Sequence, residues 1–338
     1  MAVDIFSVQP HKVSKNLKGY AVMFFGEPKS GKTTTATQFP KSLLLAFEKG
    51  FNAIPGVMAL PINTWSDFNQ VLRQLDTPEA KEMYDNIIVD TADIAAELAE
   101  KYVATQNGVT TIADIPFGKG YKLFEKEFDA KLRKIMQMGY GLILISHSED
   151  KTFTDETGVE YNKIVPTLDK RSSKIVTRMA DIIGYSRSVT NPETGSEEVR
   201  LFMRAQSRFI AGSRFQDLPD VGYKFPDSIV FNFQNLANTI ASAVEAIEKQ
   251  LGASAVTTQI SDAHQYKESK RPIEEAIAEF NQIAGDLMGK DKIFFGPRIV
   301  DIVNDNLGFG SKIAEAQPKQ IDLVEAAIEQ LKELAKEK

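Results

Sequence analysis

Short apolar runs alternate with amphipathic segments along the first 150 residues of the chain. Buried strands are predicted by the apolar runs at 20–25, 42–47, 56–60, 86–90 and 141–146. Apolar residues that recur at spacings of three and four predict helices over 66–75, 93–103 and 121–138. Strands that alternate with helices in this way favour a mostly parallel sheet with helices packed on its faces.

The pattern changes beyond residue 150. Two hairpins are predicted there, one turning at 156–158 and the other through 191–195. A strand at 228–233 and a helix at 236–251 follow them. The parallel sheet is therefore expected to be extended by antiparallel strands.

The chain has 338 residues, more than the ~250 residues at which single cores tend to split. The predicted segments are an N-terminal arm at 1–17, a core at 18–251, a linker at 252–272 and a small helical domain at 273–338. The linker is predicted because that stretch is small, polar and charged. Helices of the last domain are predicted at 273–288, 295–306 and 318–336.

Composition narrows the functional classes. The chain has no cysteine and three histidines, which excludes thiolate chemistry and Cys-ligated metals and argues against a His-based metal site. A net charge of −6 gives no general signal for nucleic-acid binding. No apolar run approaches the ~18 residues of a transmembrane helix, and no secretory signal is evident. We therefore expect a cytoplasmic protein without a membrane partner.

The strongest motif is GEPKSGKTTT, which lies between the first apolar run and a predicted helix of about two turns. Its spacing matches G-x-x-x-x-G-K-[ST], which curls backbone N–H groups around phosphate oxygens. The lysine neutralises phosphate charge, the first threonine ligates Mg²⁺, and the second reaches the α-phosphate. We predict a site for ATP or ADP with Mg²⁺ formed by Gly26, Glu27, Pro28, Lys29, Ser30, Gly31, Lys32, Thr33 and Thr34.

A magnesium site needs a second anchor beside Thr33. Asp90 ends the buried strand of YDNIIVDTAD, where an idle carboxylate would cost too much desolvation energy. We predict that Asp90 holds Mg²⁺ together with Thr33. The alternative is a helix N-cap, a role that Thr91 or Asp93 would fill equally well.

Two further strand ends carry polar groups. Glu48 follows the second apolar run and is the candidate base that orients the attacking water. The alternative is a surface ion pair with Lys49 or Lys41. Ser146 or His147, in GLILISHSED, is a candidate for a hydrogen bond to the γ-phosphate and for reporting hydrolysis to the adjoining loop. A structural histidine is the alternative there.

The order of these motifs resembles a RecA-like P-loop ATPase core, and more closely the phage-encoded nucleotide-binding proteins of the RecA/AAA type that accompany recombination and replication genes. The resemblance covers about residues 18–235 and rests on GEPKSGKT, LLLAFEKG, YDNIIVDTAD, GLILISHSED and RAQSRFIAGSRF followed by DLP. Some ATPase classes have their base directly after the magnesium aspartate. Thr91 follows it here, and a glutamate after the second strand is the RecA-like arrangement.

The resemblance implies a RecA-like P-loop NTPase core of the α/β class, to which the residue patterns add antiparallel strands and a small C-terminal helical domain. It gives Glu48 the water-activating role and His147 the sensor role, where RecA has glutamine. In ring and filament ATPases of this group, a Lys or Arg from the neighbouring subunit completes the site. Arg214 is the first candidate and Arg204 and Arg208 are alternatives, although each also fits a charge on a strand face. Gly212 stands where related families often have lysine.

Two loops are candidates for contact with single-stranded DNA. The first, 106–120, holds Phe117 and Lys119. The second is 149–174, whose basic and aromatic side chains are diluted by acidic ones. Cations beside an aromatic ring suit single strands, because phosphate neutralisation and base stacking add. The stretch 307–316 resembles a helix-hairpin-helix turn, but Pro318 would stop its second helix early, which favours a helical module for assembly.

The resulting hypothesis is a Mg²⁺-dependent ATPase that self-associates into a ring or filament and acts on single-stranded DNA in phage-type recombination or replication. Single-strand-binding or annealing proteins are candidate partners. One alternative is a hexameric replicative helicase or helicase loader. The other is a slow nucleotide-gated adaptor protein.

Overall fold

A computed structural model describes residues 10–192, 194–258 and 271–336. The chain divides into a large unit over 11–265 and a smaller unit that contains the C-terminal helices. Among the described helices, none has the length and apolar character needed to cross a membrane. The predicted linker falls largely on 259–270, which lie outside the described residues.

The large unit is built on one extended sheet. Its strands run in the spatial order β4–β3–β5–β6–β2–β8–β9–β11, and the neighbours from β4 to β8 are parallel. Strands β9 and β11 continue the sheet antiparallel, β10 pairs with β8, and β7 pairs with the outer half of β6. The bounds are β2 (Ala21–Gly26), β3 (Ser42–Ala46), β4 (Ala59–Pro61), β5 (Asn86–Asp90), β6 (Gly141–Thr154), β7 (Glu160–Pro166), β8 (Ile182–Thr190), β9 (Glu197–Phe202), β10 (Gly212–Ser213) and β11 (Ser228–Val230).

Helices cover both faces of this sheet. They are α1 (Lys32–Ala36), α2 (Trp65–Leu75), α3 (Pro78–Met83), α4 (Ala92–Gln106), α5 (Lys119–Gln137), α6 (Lys170–Met179) and α7 (Phe233–Leu251). Successive residues of β2 belong to different cores, because side chains alternate along a strand. Met23 and Phe25 pack with α2, α4, α5 and α6, whereas Val22 and Phe24 pack with α1 and α7. The predicted α/β class with antiparallel extensions is confirmed.

Several boundaries differ from the prediction. Helix α1 has five residues rather than two full turns, and α3 and α6 were not predicted. The stretch 149–174, the second candidate for DNA contact, contains the predicted hairpin, formed by β6 and β7, and ends in the first turn of α6, which was not predicted. Lys170 and Lys174 therefore lie on a helix, and so does Arg171, which pairs with Glu125 and stacks over Tyr121.

The predicted N-terminal arm and linker each contribute a short strand. Strand β1 (Val13–Ser14) pairs in parallel with β12 (Val256–Thr257), and Lys15 forms an ion pair with Glu248 on α7. The described part of the arm is thus paired with the chain that leaves α7. Backbone hydrogen bonds join the two strands, and Val13 and Val256 pack against the core that lies between the sheet and α7.

The smaller unit is helical. Helix α8 (Ile273–Leu307) is kinked at Asp291, and α9 (Ile321–Leu334) packs along it through an apolar core. The kink agrees with the predicted break between two helices. In the turn after α8, the N–H of Gly310 donates to Asn304 Oδ1, and the next α-helix begins only at Ile321. The turn therefore lacks the second helix that a helix-hairpin-helix requires.

Candidate nucleotide-binding site

The phosphate-binding loop connects β2 to α1 at the carboxyl edge of the sheet. Gly26 has φ +151 and Gly31 has φ +79, conformations that side chains disfavour. A β-carbon at Gly26 would lie 2.0 Å from the Ser186 carbonyl oxygen, so only glycine fits against β8 at this point. Glycine is therefore required at the two positions for different reasons: close packing against β8 at Gly26 and a left-handed backbone conformation at Gly31.

Strand β8 holds the loop from the side. The buried hydroxyls of Ser30 and Ser186 are 2.7 Å apart, and the Glu27 N–H donates to the Ser186 carbonyl at 3.2 Å. The outer end of the loop is tied as well, because the Ser188 N–H donates to Glu27 Oε2 at 3.3 Å. Sequence reasoning missed Ser186, since its role depends on β8 lying beside β2, which no local pattern shows.

Lys32 points into the loop. Its Nζ donates to the carbonyl oxygens of Gly26 at 3.0 Å and Glu27 at 2.7 Å, and the residue is 6% exposed. Burial lowers the pKa of Lys32, while the charges of Asp90 and Glu48 oppose that shift. An ammonium group held this way by carbonyl dipoles is ready to exchange them for phosphate oxygens.

Thr33 and Asp90, the two residues predicted to hold Mg²⁺, are in direct contact. The Thr33 hydroxyl donates to Asp90 Oδ2 at 2.8 Å, whereas the buried Oδ1 has no hydrogen-bond partner among the described residues. Burial raises the pKa of Asp90 to about 6, with the nearby Glu48 charge adding to that effect. A buried carboxylate with a free oxygen beside a threonine hydroxyl suits a hard divalent cation, so the donor set fits Mg²⁺.

Glu48 faces His147 across the site. Glu48 Oε2 lies 3.3 Å from His147 Nε2, and both side chains are partly exposed. The Glu48 N–H also donates to the Asp90 carbonyl at 3.3 Å, which ties the loop after β3 to the end of β5. The surface ion pair with Lys41 is not formed, because Lys41 Nζ donates to the Glu82 carbonyl.

The strand β6 places His147 next to the loop. His147 is the register partner of Gly26, and β6 then leaves the parallel sheet to pair with β7. Ser146, the other candidate at this strand end, is fully buried and bonds to the His147 carbonyl and to Thr167. Of the two, His147 is therefore the accessible group.

Asp93 and Thr167 form a contact that sequence reasoning missed. The Thr167 hydroxyl donates to Asp93 Oδ2 in a short hydrogen bond, and the Thr167 N–H donates to the His147 carbonyl at 3.1 Å. Thr91 is the N-cap of α4 but makes no side-chain capping bond, so capping does not account for the polar residues of this segment. Asp93 instead joins the start of α4 to the chain that follows β7.

The three candidate arginines lie away from the loop. Arg214 follows β10 and lies opposite Asp181, five residues before the Ser186 that pairs with Gly26, so it lies ~16 Å along the sheet from the loop edge. Its side chain is 66% exposed and pairs with Asp181 at 3.0 Å. Arg204 is bound to Asp217 and Asp227, and Arg208 is exposed near β7. None of them completes the site of its own chain.

The strand order and this loop together define a P-loop nucleotide-binding protein of the RecA-like type. The family model described as "AAA domain" matches residues 18–215, and the chain belongs to that family. A relative in Bacillus subtilis (strain 168), "SPbeta prophage-derived uncharacterized protein YorG", is 33% identical over 350 residues, with both chains fully covered. This prophage relative agrees with the resemblance to phage-encoded proteins.

A solved structure also resembles the chain. The crystal structure of the KaiC-like protein PH0186 from Pyrococcus horikoshii OT3 matches 59% of this chain and 90% of its own, at 13% identity and a TM-score of 0.33. A likeness at that level supports no conclusion about activity or partners.

Proposed function

We propose that the protein is a Mg²⁺-dependent ATPase that binds single-stranded DNA in phage-type recombination or replication. The observation that carries the proposal is the β6–β7 hairpin, which begins directly after His147 and presents cations and aromatic rings on one face. Membership of the family supports nucleotide binding, and the hairpin supports single-stranded DNA as the binding partner.

One face of the hairpin is basic and aromatic. Lys151 pairs with Lys163, and Phe153 pairs with Tyr161, whose rings stack with centroids 5.9 Å apart. Side chains of alternate strand residues share a face, so these four groups point the same way. Asp150 and Glu160 lie on the opposite face, whereas Glu149, which pairs with Val165, shares the face of the lysines at the end of the hairpin nearest the sheet.

This face suits a flexible anionic strand. Two lysines directly opposite each other on a hairpin repel, and neither has an acidic partner within the described part of the chain. A phosphate between them would relieve that repulsion, and bases would stack on Phe153 or Tyr161, which is 43% exposed. Phe117, in the other candidate loop, is 96% exposed and offers a further ring.

Both ends of the hairpin contact the nucleotide site. The hairpin part of β6 follows His147, which faces Glu48, and β7 ends next to Thr167, which binds Asp93. A change in the position of Glu48 or of the Asp90 strand therefore reaches both strands of the hairpin. Such paired contacts support a DNA affinity that depends on the bound nucleotide, and by reciprocity a nucleotide affinity that depends on DNA.

The chemistry follows from the residues present. Lys32 neutralises the phosphates, Thr33 and Asp90 hold the cation, and Glu48 orients the attacking water and accepts its proton. Bound Mg²⁺ supplies charge neutralisation of the phosphate oxygens. His147 then senses the state of Glu48 through their contact and transmits it along β6.

Self-association would complete the site. Arg214 is exposed and lies too far along β8 to reach its own phosphates, which is compatible with a role in the site of a neighbouring subunit. We propose that Arg214 acts in this way in a ring or a filament. Electron micrographs with ATP and DNA would separate the filament from a ring-shaped helicase or helicase loader.

The deciding experiment is ATP turnover with and without single-stranded DNA, with Lys32→Ala as the inactive reference. We expect DNA to raise turnover in the wild type. Glu48→Gln should retain nucleotide binding and lose hydrolysis. If DNA neither binds at low salt nor raises turnover, the proposal fails and a nucleotide-gated adaptor role gains support.

The role of Arg214 has its own test. Arg214→Ala subunits retain the loop, and Lys32→Ala subunits retain the arginine, so a mixture forms some intact composite sites. Recovered turnover in the mixture would support action between subunits. Turnover that equals the sum of the two separate variants would contradict it.

A further inference from the structure

Gly50 lies where three oxygen atoms of the nucleotide site converge. A β-carbon on Gly50 would be 3.6 Å from Glu48 Oε1, 3.7 Å from Asp90 Oδ2 and 3.9 Å from Thr33 Oγ1. These oxygens come from three separate elements: the loop after β3, the end of β5 and the start of α1. The missing side chain of Gly50 thus leaves open the point that all three face.

The protein itself does not require glycine there. The backbone of Gly50 is not in the left-handed region, and the three distances are ordinary van der Waals contacts, so a methyl group would fit. Gly26 differs, because its β-carbon would lie 2.0 Å from a carbonyl oxygen. Packing against β8 explains the glycine at position 26. The glycine at position 50 has no such structural cause, so a ligand of the nucleotide site is the remaining reason for it.

Two kinds of water molecule would occupy the space beside Gly50. Magnesium held by one or two protein groups and phosphates keeps several of its waters, and hydrolysis needs a water near Glu48. A methyl group between the oxygens would displace such waters without offering a hydrogen bond. Glycine is the only residue that leaves the oxygens of Thr33, Asp90 and Glu48 open to water on this side.

We propose that Gly50 is a positioning residue that reserves the space for the hydrated cation and for the water oriented by Glu48. The inference rests on the proposed Mg²⁺-dependent hydrolysis and is independent of the DNA-binding part. The loop binds the other phosphates through Lys32 and backbone N–H groups, which Gly50 does not touch. Substitution at Gly50 should therefore separate cation-dependent binding from phosphate binding.

The test compares Gly50→Ala with Asn52→Ala, an exposed residue of the same loop. Binding of fluorescent N-methylanthraniloyl-ADP is measured with Mg²⁺ and with EDTA, in the absence of DNA. For Gly50→Ala we expect wild-type affinity for the ADP analogue in EDTA. The factor by which Mg²⁺ raises that affinity should be about tenfold smaller than in the wild type, the size typical of groups around a metal ligand. Asn52→Ala should behave as the wild type in both conditions.

Two further measurements complete the test. Turnover without DNA should fall in Gly50→Ala and fall further in Gly50→Val, while the thermal unfolding midpoint of Gly50→Ala is not lowered. A Gly50→Ala protein with the wild-type Mg²⁺ effect and turnover would overturn the inference. A lower unfolding midpoint together with weaker binding in EDTA would also overturn it, because that result assigns Gly50 to the fold. Because no DNA is present, failure of DNA binding does not affect these readouts.

Discussion

The phosphate-binding loop and the β6–β7 hairpin leave the sheet side by side and differ in how their charges are satisfied. In the loop, Lys32 is buried and bound to two carbonyl oxygens, and Ser30 is bound to β8. In the hairpin, Lys151 and Lys163 face each other on an outer surface. The charge of the loop is satisfied by the protein's own carbonyl groups, whereas the two lysines of the hairpin have no acidic partner among the described residues.

This contrast explains which region tolerates change. Buried polar groups are costly when one partner is removed, so substitutions in the loop affect both stability and binding. Charges on an exposed strand contribute little to stability, so substitutions in the hairpin should change the affinity for the proposed DNA partner and leave the stability of the protein unchanged.

Replacing Lys32 by alanine should lower ATP turnover by about 10²–10³-fold, the loss typical when one charge-stabilising group is removed from a reacting centre. Within the described part of the chain, the Lys32 ammonium is the cation that donates to the carbonyl oxygens of the loop. Turnover and ADP binding are measured together. Lys49→Ala, at an exposed position nearby, is the control and should retain activity; equal losses in both variants would contradict a specific role for Lys32.

Replacing Asp90 by asparagine should stabilise the protein without nucleotide or Mg²⁺. Burial raises the pKa of Asp90 from 3.8 to about 6, so the folded state holds this proton more tightly than the unfolded state. Stability attributable to this group therefore falls as the pH rises from about 4 to 6, by about 3 kcal/mol, and stays low above that range. The amide removes the buried charge and can still accept from Thr33.

Urea unfolding of wild type and Asp90→Asn at several pH values, in EDTA, measures this effect. The free energy of unfolding of Asp90→Asn should rise relative to that of the wild type between pH 4 and pH 6, and the difference should persist at neutral pH. A constant difference at all pH values would show that the charge of Asp90 is not its cause. Thr33→Val offers a second control, because it removes the hydroxyl contact and leaves the carboxylate.

Replacing both Lys151 and Lys163 by alanine should weaken binding of single-stranded DNA about tenfold at low salt and reduce the salt dependence, because each lost phosphate contact lowers the slope by ~0.7. ATP turnover without DNA should not change. Fluorescence anisotropy of a labelled oligonucleotide at several salt concentrations gives both quantities. The double variant Thr152→Ala, Asn162→Ala alters the opposite face and should bind DNA as the wild type does.

Replacing Thr167 by valine should reduce the stimulation of turnover by DNA a few-fold, the usual size of a coupling between two sites. The substitution removes the hydroxyl that donates to Asp93 and keeps a similar volume. Basal turnover and DNA affinity without nucleotide are measured beside it and should remain near the wild type. Undiminished stimulation would show that the second strand of the hairpin is not a route between the sites.

Much of the architecture was predictable because it depends on neighbouring residues. The alternation of strands and helices, both hairpins and the break in α8 follow from periodicity and turn residues. The phosphate loop was predictable for the same reason, since its glycines and Lys32 act within ten residues of each other. Helix α6 was missed because its charged first turn resembles the loop that precedes it.

The site could be predicted only in part. Asp90 and Glu48 were identifiable because polar residues at the ends of buried strands meet at one edge of a parallel sheet. Ser186 and Thr167 carried no comparable signal, because a serine or threonine near a strand end is common. Nothing in the sequence indicated a role for Gly50 either, because no local pattern distinguishes a glycine that leaves space for a ligand from one that completes a turn.

The sequence by itself determined the fold class, the loop that holds phosphate and the polar strand ends around it. Only the tertiary structure decided that Glu48 faces His147, that Arg214 lies far along β8, and that the hairpin separates its lysines from Asp150 and Glu160. The reason is physical: periodicity and turn chemistry act between residues near in sequence, whereas strand order and register join residues that are distant in the chain. The candidate nucleotide-binding site of this protein is formed by those distant pairings.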